Sequence, residues 1–171
     1  PLPTRANIVS AFRAMSERIA AGDFLFLYFA GHGAQQPVVN PKREELDGVD
    51  EVLLPSDAGR LTEFLTIQNA IVDDDIGVFI SACRRRGATV WAVIDACHAG
   101  DSTRDTPLPT GAIARGLTTV DFGFPNWVQR WMDRFPVSQR TARLGQTDLC
   151  GDGATELPGG MLGFFACRSD Q

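Results

Sequence analysis

Residues 88–101 read ATVWAVIDACHAGD, and the reading of this stretch decides the fold. It opens as a short apolar run, Val90, Trp91, Ala92, Val93 and Ile94, with Gly87 before it and polar residues after it. The run is too short for a core helix. Its near-continuous apolarity predicts a strand buried on both faces of a parallel sheet. It ends in Asp95-Ala96-Cys97-His98-Ala99-Gly100, where an acid, a thiol and an imidazole crowd together as the strand gives out. In open α/β sheets, ligands and chemistry gather at the carboxyl ends of strands. Cys97 is therefore a candidate nucleophile.

Working outward, residues 24–30, FLFLYFA, predict a second doubly buried strand. It breaks at Gly31-His32-Gly33, where two glycines free the backbone to turn and let a ligand come close. Before it, Ile8, Phe12, Met15 and Ile19 make one stripe of an amphipathic helix over residues 4–21, with Thr4 as N-cap and Gly22-Asp23 as the stop. Residues 35–60 read as a loop-like excursion at the carboxyl edge of the sheet, with room for a small hairpin. A helix follows over about residues 74–86, capped by Asp73-Asp74-Asp75 and closed by Arg84-Arg85-Arg86 and Gly87.

Beyond Asp101 the chain is rich in proline and glycine as far as Gly160, with one helix expected around residues 127–135. A long irregular stretch of this kind points to a functional loop. Residues 160–167, GMLGFFAC, predict a third core strand. The element order predicts an α/β fold, a three-layer α/β/α sandwich around a mainly parallel sheet, in one domain over residues 1–171.

The totals narrow the function. At 171 residues and 44% hydrophobic content the chain supports one ordinary core. A net charge of −5 argues against a nucleic-acid partner or an anionic membrane surface. No run reaches transmembrane length and no leader is visible, although a chain that starts at Pro1 leaves a removed leader or an earlier domain open. Cys83, Cys97, Cys150 and Cys167 show no paired spacing, so neither a zinc site nor a disulfide framework is expected. Cys83 and Cys167 read as small buried hydrophobes. Free thiols and the lack of an apolar span make the cytoplasm the default location.

His32 and Cys97 each stand where a predicted strand ends, 97 − 32 = 65 residues apart. The excursion and helix between them suit a crossover to a neighbouring parallel strand, which puts both residues at one sheet edge. An imidazole that takes the thiol proton makes cysteine a strong nucleophile. Backbone amides of Gly33 and Cys97 are placed to hold an oxyanion. Asp95 shares a strand face with Cys97 and sets an acid beside the reacting centre. Bland readings stand beside these: a buried structural cysteine, a satisfied loop histidine, a strand-end acid that orients His32 or caps a turn. His98 is the rival base, but as the sequence neighbour of Cys97 it points to the opposite face, so His32 is preferred.

The segment Tyr28-Phe29-Ala30-Gly31-His32-Gly33 followed by Asp95-Ala96-Cys97-His98-Ala99-Gly100 resembles the two catalytic blocks of caspase-like cysteine peptidases, peptidase family C14. The metacaspase branch, including its bacterial members, is the nearest resemblance. Thr4-Arg5-Ala6-Asn7-Ile8, Asp47-Gly48-Val49-Asp50-Glu51 and Ala166-Cys167-Arg168 add to it. The resemblance implies a caspase-like fold, with Cys97 as nucleophile and His32 as general base and acid. It also implies a substrate pocket lined by Asp95, selecting protein or peptide substrates with Arg or Lys before the cut. Ala30 stands where many metacaspases carry a pocket serine. No cofactor is required for this chemistry. Some members need calcium, for which Asp47, Asp50, Glu51 and Asp101 or Asp105 are the matching acids; an ordinary solvated acidic loop is the alternative. Arg115-Gly116 lies where such enzymes cut themselves. Relative to the family the chain reads as truncated at both ends and as part of a larger protein with additional domains. The alternative function is a catalytically silent caspase-like module for interaction or signalling. A redox-sensing thiol protein ranks last, because no resolving cysteine is identified near Cys97.

Overall fold

Ile8, Phe12, Met15 and Ile19 recur at helical spacing. In a computed structural model, which describes residues 1–37, 49–96, 119–132 and 157–165, they lie along helix α1 (Arg5–Arg18) and its C-cap and pack on the core. Thr4 caps the helix, its hydroxyl accepting the Asn7 N–H at 3.3 Å. Gly22, at φ +86°, then turns the chain into strand β1 (Phe24–Ala30).

Strand β1 pairs in parallel with β5 (Thr89–Asp95), and β5 pairs in parallel with β6 (Met161–Phe165). The three make one sheet in the order β1-β5-β6. Between β1 and β5 the chain forms β2 (His32–Pro37), β3 (Val49–Leu54) and β4 (Ile71–Val72), an antiparallel sheet of its own, and then helix α2 (Asp73–Arg85). A short 3-10 turn (Thr119–Phe122) and helix α3 (Asn126–Met132) follow β5.

Two cores hold these elements. In the first, Val90, Ala92 and Ile94 of β5, with Leu25, Leu27 and Phe29 of β1, meet Ile76, Phe79, Ile80 and Cys83 of α2. Helix α1 joins the same core, where Phe12 stacks on Phe79 with ring centroids 4.3 Å apart. In the second, Ala34, Val52 and Leu54 of the antiparallel sheet pack with Ile67, Phe124 and Val128. Strand β3 serves both, since Leu53 faces the first core while its neighbours face the second.

The α/β class, the parallel pairing of the 24–30 and 88–95 strands and the elements expected at 4–21, 74–86 and 160–167 are all present. Two local readings differ. Strands β1 and β5 are not buried on both faces: Phe24, Phe26, Tyr28 and Trp91 are exposed. The reason is that α1 and α2 pack into the same core and so cover the same face of the sheet. The small hairpin read into the excursion is present, for β2 and β3 pair antiparallel across six positions from His32↔Leu54 to Pro37↔Val49. Only Gly31 separates β1 from β2. The acids before α2 do not cap it. Val72 is the N-cap, and Asp73, Asp74 and Asp75 lie in the first turn, facing the positive end of the helix dipole.

Candidate active site

The carboxyl edge of the parallel sheet is where β1 and β5 end side by side. Ala30 is the partner of Asp95 in the register, and the Gly31 N–H donates to the Asp95 carbonyl at 3.1 Å. That bond extends the pairing one residue past the strand. His32 follows as the next residue and opens β2. Gly31 is tightly enclosed as well: a Cβ at this position would sit 2.9 Å from the Phe29 ring. The Phe29 ring belongs to the first core, so the chain leaves the sheet over a fixed aromatic surface.

His32 opens β2, exposed and opposite Leu54, while Gly33 behind it is buried opposite Leu53. Asp95 closes β5, half-buried and on the face opposite Ile94 and Ala96, both of which point into the first core. Ala30, its exposed neighbour on β1, shares that outer face. The structure thus brings Ala30, His32, Gly33 and Asp95 together at one sheet edge. Cys97 lies outside the described residues, as do His98, Asp47, Asp101, Asp105, Arg115 and Gly116. Ala96, the last described residue before the cysteine, is buried.

Of the acids matched to calcium, the two among the described residues, Asp50 and Glu51, lie on β3. Asp50, 6% exposed, is opposite Gln36, and Glu51 is opposite Gln35. As neighbours on a strand they point to opposite faces. Gln36 is four residues along β2 from His32, roughly 13 Å at the rise of a strand. Among the described residues no group of three or more His, Cys, Asp or Glu side chains is gathered to hold a metal ion. Asp50 and Glu51 alone therefore do not form the six-to-eight-oxygen shell that calcium takes.

Two residues of this edge escaped the sequence reading. Tyr28 and Val93 are partners in the register one rung below Ala30 and Asp95, on the same face. They are the next side chains along that outer face from Ala30 and Asp95. The period of two along each strand carries this information, but only once the two strands are known to pair in this register.

A model of the metacaspase, peptidase C14 domain matches residues 1–107, which include everything from α1 to the end of β5. The chain belongs to the metacaspase family. It is 35% identical over 100 residues to Metacaspase-1 of Plasmodium falciparum, covering 58% of this chain and 15% of that protein. It is 38% identical over 99 residues to Metacaspase-3 of Arabidopsis thaliana, covering 58% of this chain and 25% of that protein. The match thus spans a quarter or less of these relatives' length. The fold also resembles the crystal structure of a Geobacter sulfurreducens protein, with a TM-score of 0.57 and 21% identity over 97% of this chain and 54% of that one. The mixed α/β architecture with its parallel sheet is the caspase-like fold of this metacaspase family.

Proposed function

We propose that this metacaspase chain is the catalytic region of a cysteine endopeptidase that cleaves after Arg or Lys. The observation that carries the reading is the Ala30–Asp95 pairing with its Gly31 N–H···O=C bond, which holds His32 at the strand end leading into Cys97. In this reading His32 takes the thiol proton and the Cys97 sulfur attacks the scissile carbonyl. The amides of Gly33 and Cys97 stabilise the oxyanion. Collapse breaks the C–N bond, His32 returns the proton to the leaving amine, and a thioester remains. Water then gives its proton to His32 and attacks the thioester. Release of the acid product leaves a thiolate, which His32 reprotonates.

Asp95 supplies selectivity. A half-buried carboxylate on the outer face, beside the small Ala30 and above Tyr28, suits the fork of an arginine or the ammonium of a lysine. Calcium enters no step of this scheme. Among the described residues no helix is long and apolar enough to cross a membrane, and peptides or proteins are the substrates proposed.

The test is turnover of matched fluorogenic peptides ending in Arg, Lys or Asp, by wild type, His32→Ala and Cys97→Ala, each with calcium or with a chelator. Arg and Lys cleavage that both variants abolish supports the reading. Cleavage after Asp would overturn the role of Asp95 and keep the dyad. A folded chain that turns over nothing, and whose Cys97 ignores a thiol-reactive peptidyl-arginine probe, would be the silent interaction module instead.

A further inference from the structure

Beneath the carboxyl edge of the parallel sheet the first core holds a cavity of about 90 Å³. Its walls include Ile8 of α1, Phe29 of β1, Leu53 of β3, Ile71 of β4, Ile76 of α2 and Ile94 of β5. Tyr28 borders it as well, but its side chain stands on the outer face, 57% exposed; the remaining lining residues are Ile, Leu and Phe. Cores are packed with few voids larger than a water molecule, so a space of this size is uncommon. It exceeds the roughly 30 Å³ of a water in the liquid, yet walls of this chemistry give water none of the about two to four polar partners it takes in a buried site. A cavity lined by Leu, Ile and Phe instead takes up xenon or a small hydrocarbon.

Three of these walls are residues on which the candidate active site is built. The Phe29 ring lies 2.9 Å from where a Cβ on Gly31 would sit. Leu53 is the register partner of Gly33. Ile94 immediately precedes Asp95 and packs into the first core. Phe29, Leu53 and Ile94 thus carry the edge on one side and border empty space on another, where they forgo dispersion contacts. Ala30 and Asp95 point to the opposite face of the sheet. A molecule in the cavity and a substrate on the outer face therefore do not compete for space.

We propose that this cavity is a binding site for a compact apolar molecule of a few carbon atoms, and that its occupant steadies the edge above it. Filling the space restores the contacts that Phe29, Leu53 and Ile94 lack. A ligand that makes those contacts only when the three side chains are seated shifts the population toward the arrangement that holds Gly31 and Gly33 in place. Binding follows from the cavity alone, whereas the effect on turnover rests on the peptidase activity proposed for this chain.

Xenon is the probe, with helium at equal pressure as the control. Amide NMR spectra of the wild type should show saturable shifts at Gly31, Gly33 and Ile94 under xenon and none under helium. Ile8→Phe and Ile71→Phe put a ring into the space and should remove the shifts. Circular dichroism identifies which variants are folded, and two positions on different elements guard against the failure of one. Hydrolysis of the Arg peptide by the wild type should rise roughly fivefold under xenon, the lower end of ordinary allosteric coupling, and stay constant in the filled variants. A wild type without saturable shifts overturns the site, as do shifts that persist in a folded filled variant. Bound xenon with unchanged turnover overturns the coupling. Saturable shifts in a chain that hydrolyses no peptide support the site and count against the peptidase activity instead.

Discussion

At the last residue of β5 stands the carboxylate that we propose selects the substrate. Asp95→Asn keeps the shape and the backbone bond from Gly31 but removes the charge. Losing one partner of a desolvated charge pair costs roughly 2–5 kcal/mol, so kcat/KM for Arg and Lys peptides should fall at least ~30-fold, with little change in thermal stability. Steady-state kinetics on the matched peptides checks this. Across the strand pair, Gly31→Ala would press a methyl group against the Phe29 ring. Overpacking of this kind costs about 1–3 kcal/mol, and the variant should lose both stability, seen in urea unfolding, and turnover through displacement of His32. Cys83 behaves in the opposite way to a reactive thiol. Burial pushes its pKa above the ordinary 9.0, against a smaller downward pull from Arg86. The fold thus favours the neutral thiol. The stability this contributes is complete below the unfolded thiol's pKa and is lost as pH rises through the higher folded one. Native protein should therefore leave Cys83 unlabelled by thiol reagents at neutral pH and expose it only on unfolding, as peptide mapping would report.

Among the elements, β2 and β3 were the hardest to read. The strand VDEVLL mixes acids with apolar residues, and HGAQQP has little strand character. They form strands because they find one another: six paired positions satisfy the backbone, and Val52 and Leu54 reach one core while Leu53 reaches the other. Gln36 adds a buried anchor by accepting the Ile67 N–H at 2.9 Å. Helix α1 depended on no such partner, since its stripe and its Thr4 cap are local. Thr4→Ala should cost about 1 kcal/mol in chemical denaturation. The turn before β6 is more demanding. Gly159 donates its N–H to the Arg84 carbonyl at 3.0 Å and receives the Arg84 side chain at 2.9 Å on its own carbonyl. A Cβ there would collide with the backbone of Ala88, which cannot move without disturbing β5. Gly159→Ala is expected to lower the melting temperature more than Gly31→Ala does, because backbone yields less than a ring.

For the molecule as a whole, stability rests on the core between α2 and the parallel sheet. Ile80 is fully buried at its centre, and Ile80→Ala should cost about 2–5 kcal/mol, enough to threaten a domain of ordinary marginal stability. The sequence by itself determined the three strands of the parallel sheet, helices α1 and α2, and the places where β1 and β5 end, at Ala30 and Asp95. Run length, periodicity and capping are properties of neighbours along the chain. Only the tertiary structure decided that Ala30 and Asp95 are partners, that Phe29 closes over Gly31, and that Tyr28 and Val93 come next along the outer face. It also reversed an expectation: the apolar strands β1 and β5 have one open face, whereas the mixed strand β3 is buried from both sides. An apolar run records what a strand can tolerate around it. Which surface arrives to cover it depends on where distant helices and sheets pack, and no local pattern contains that.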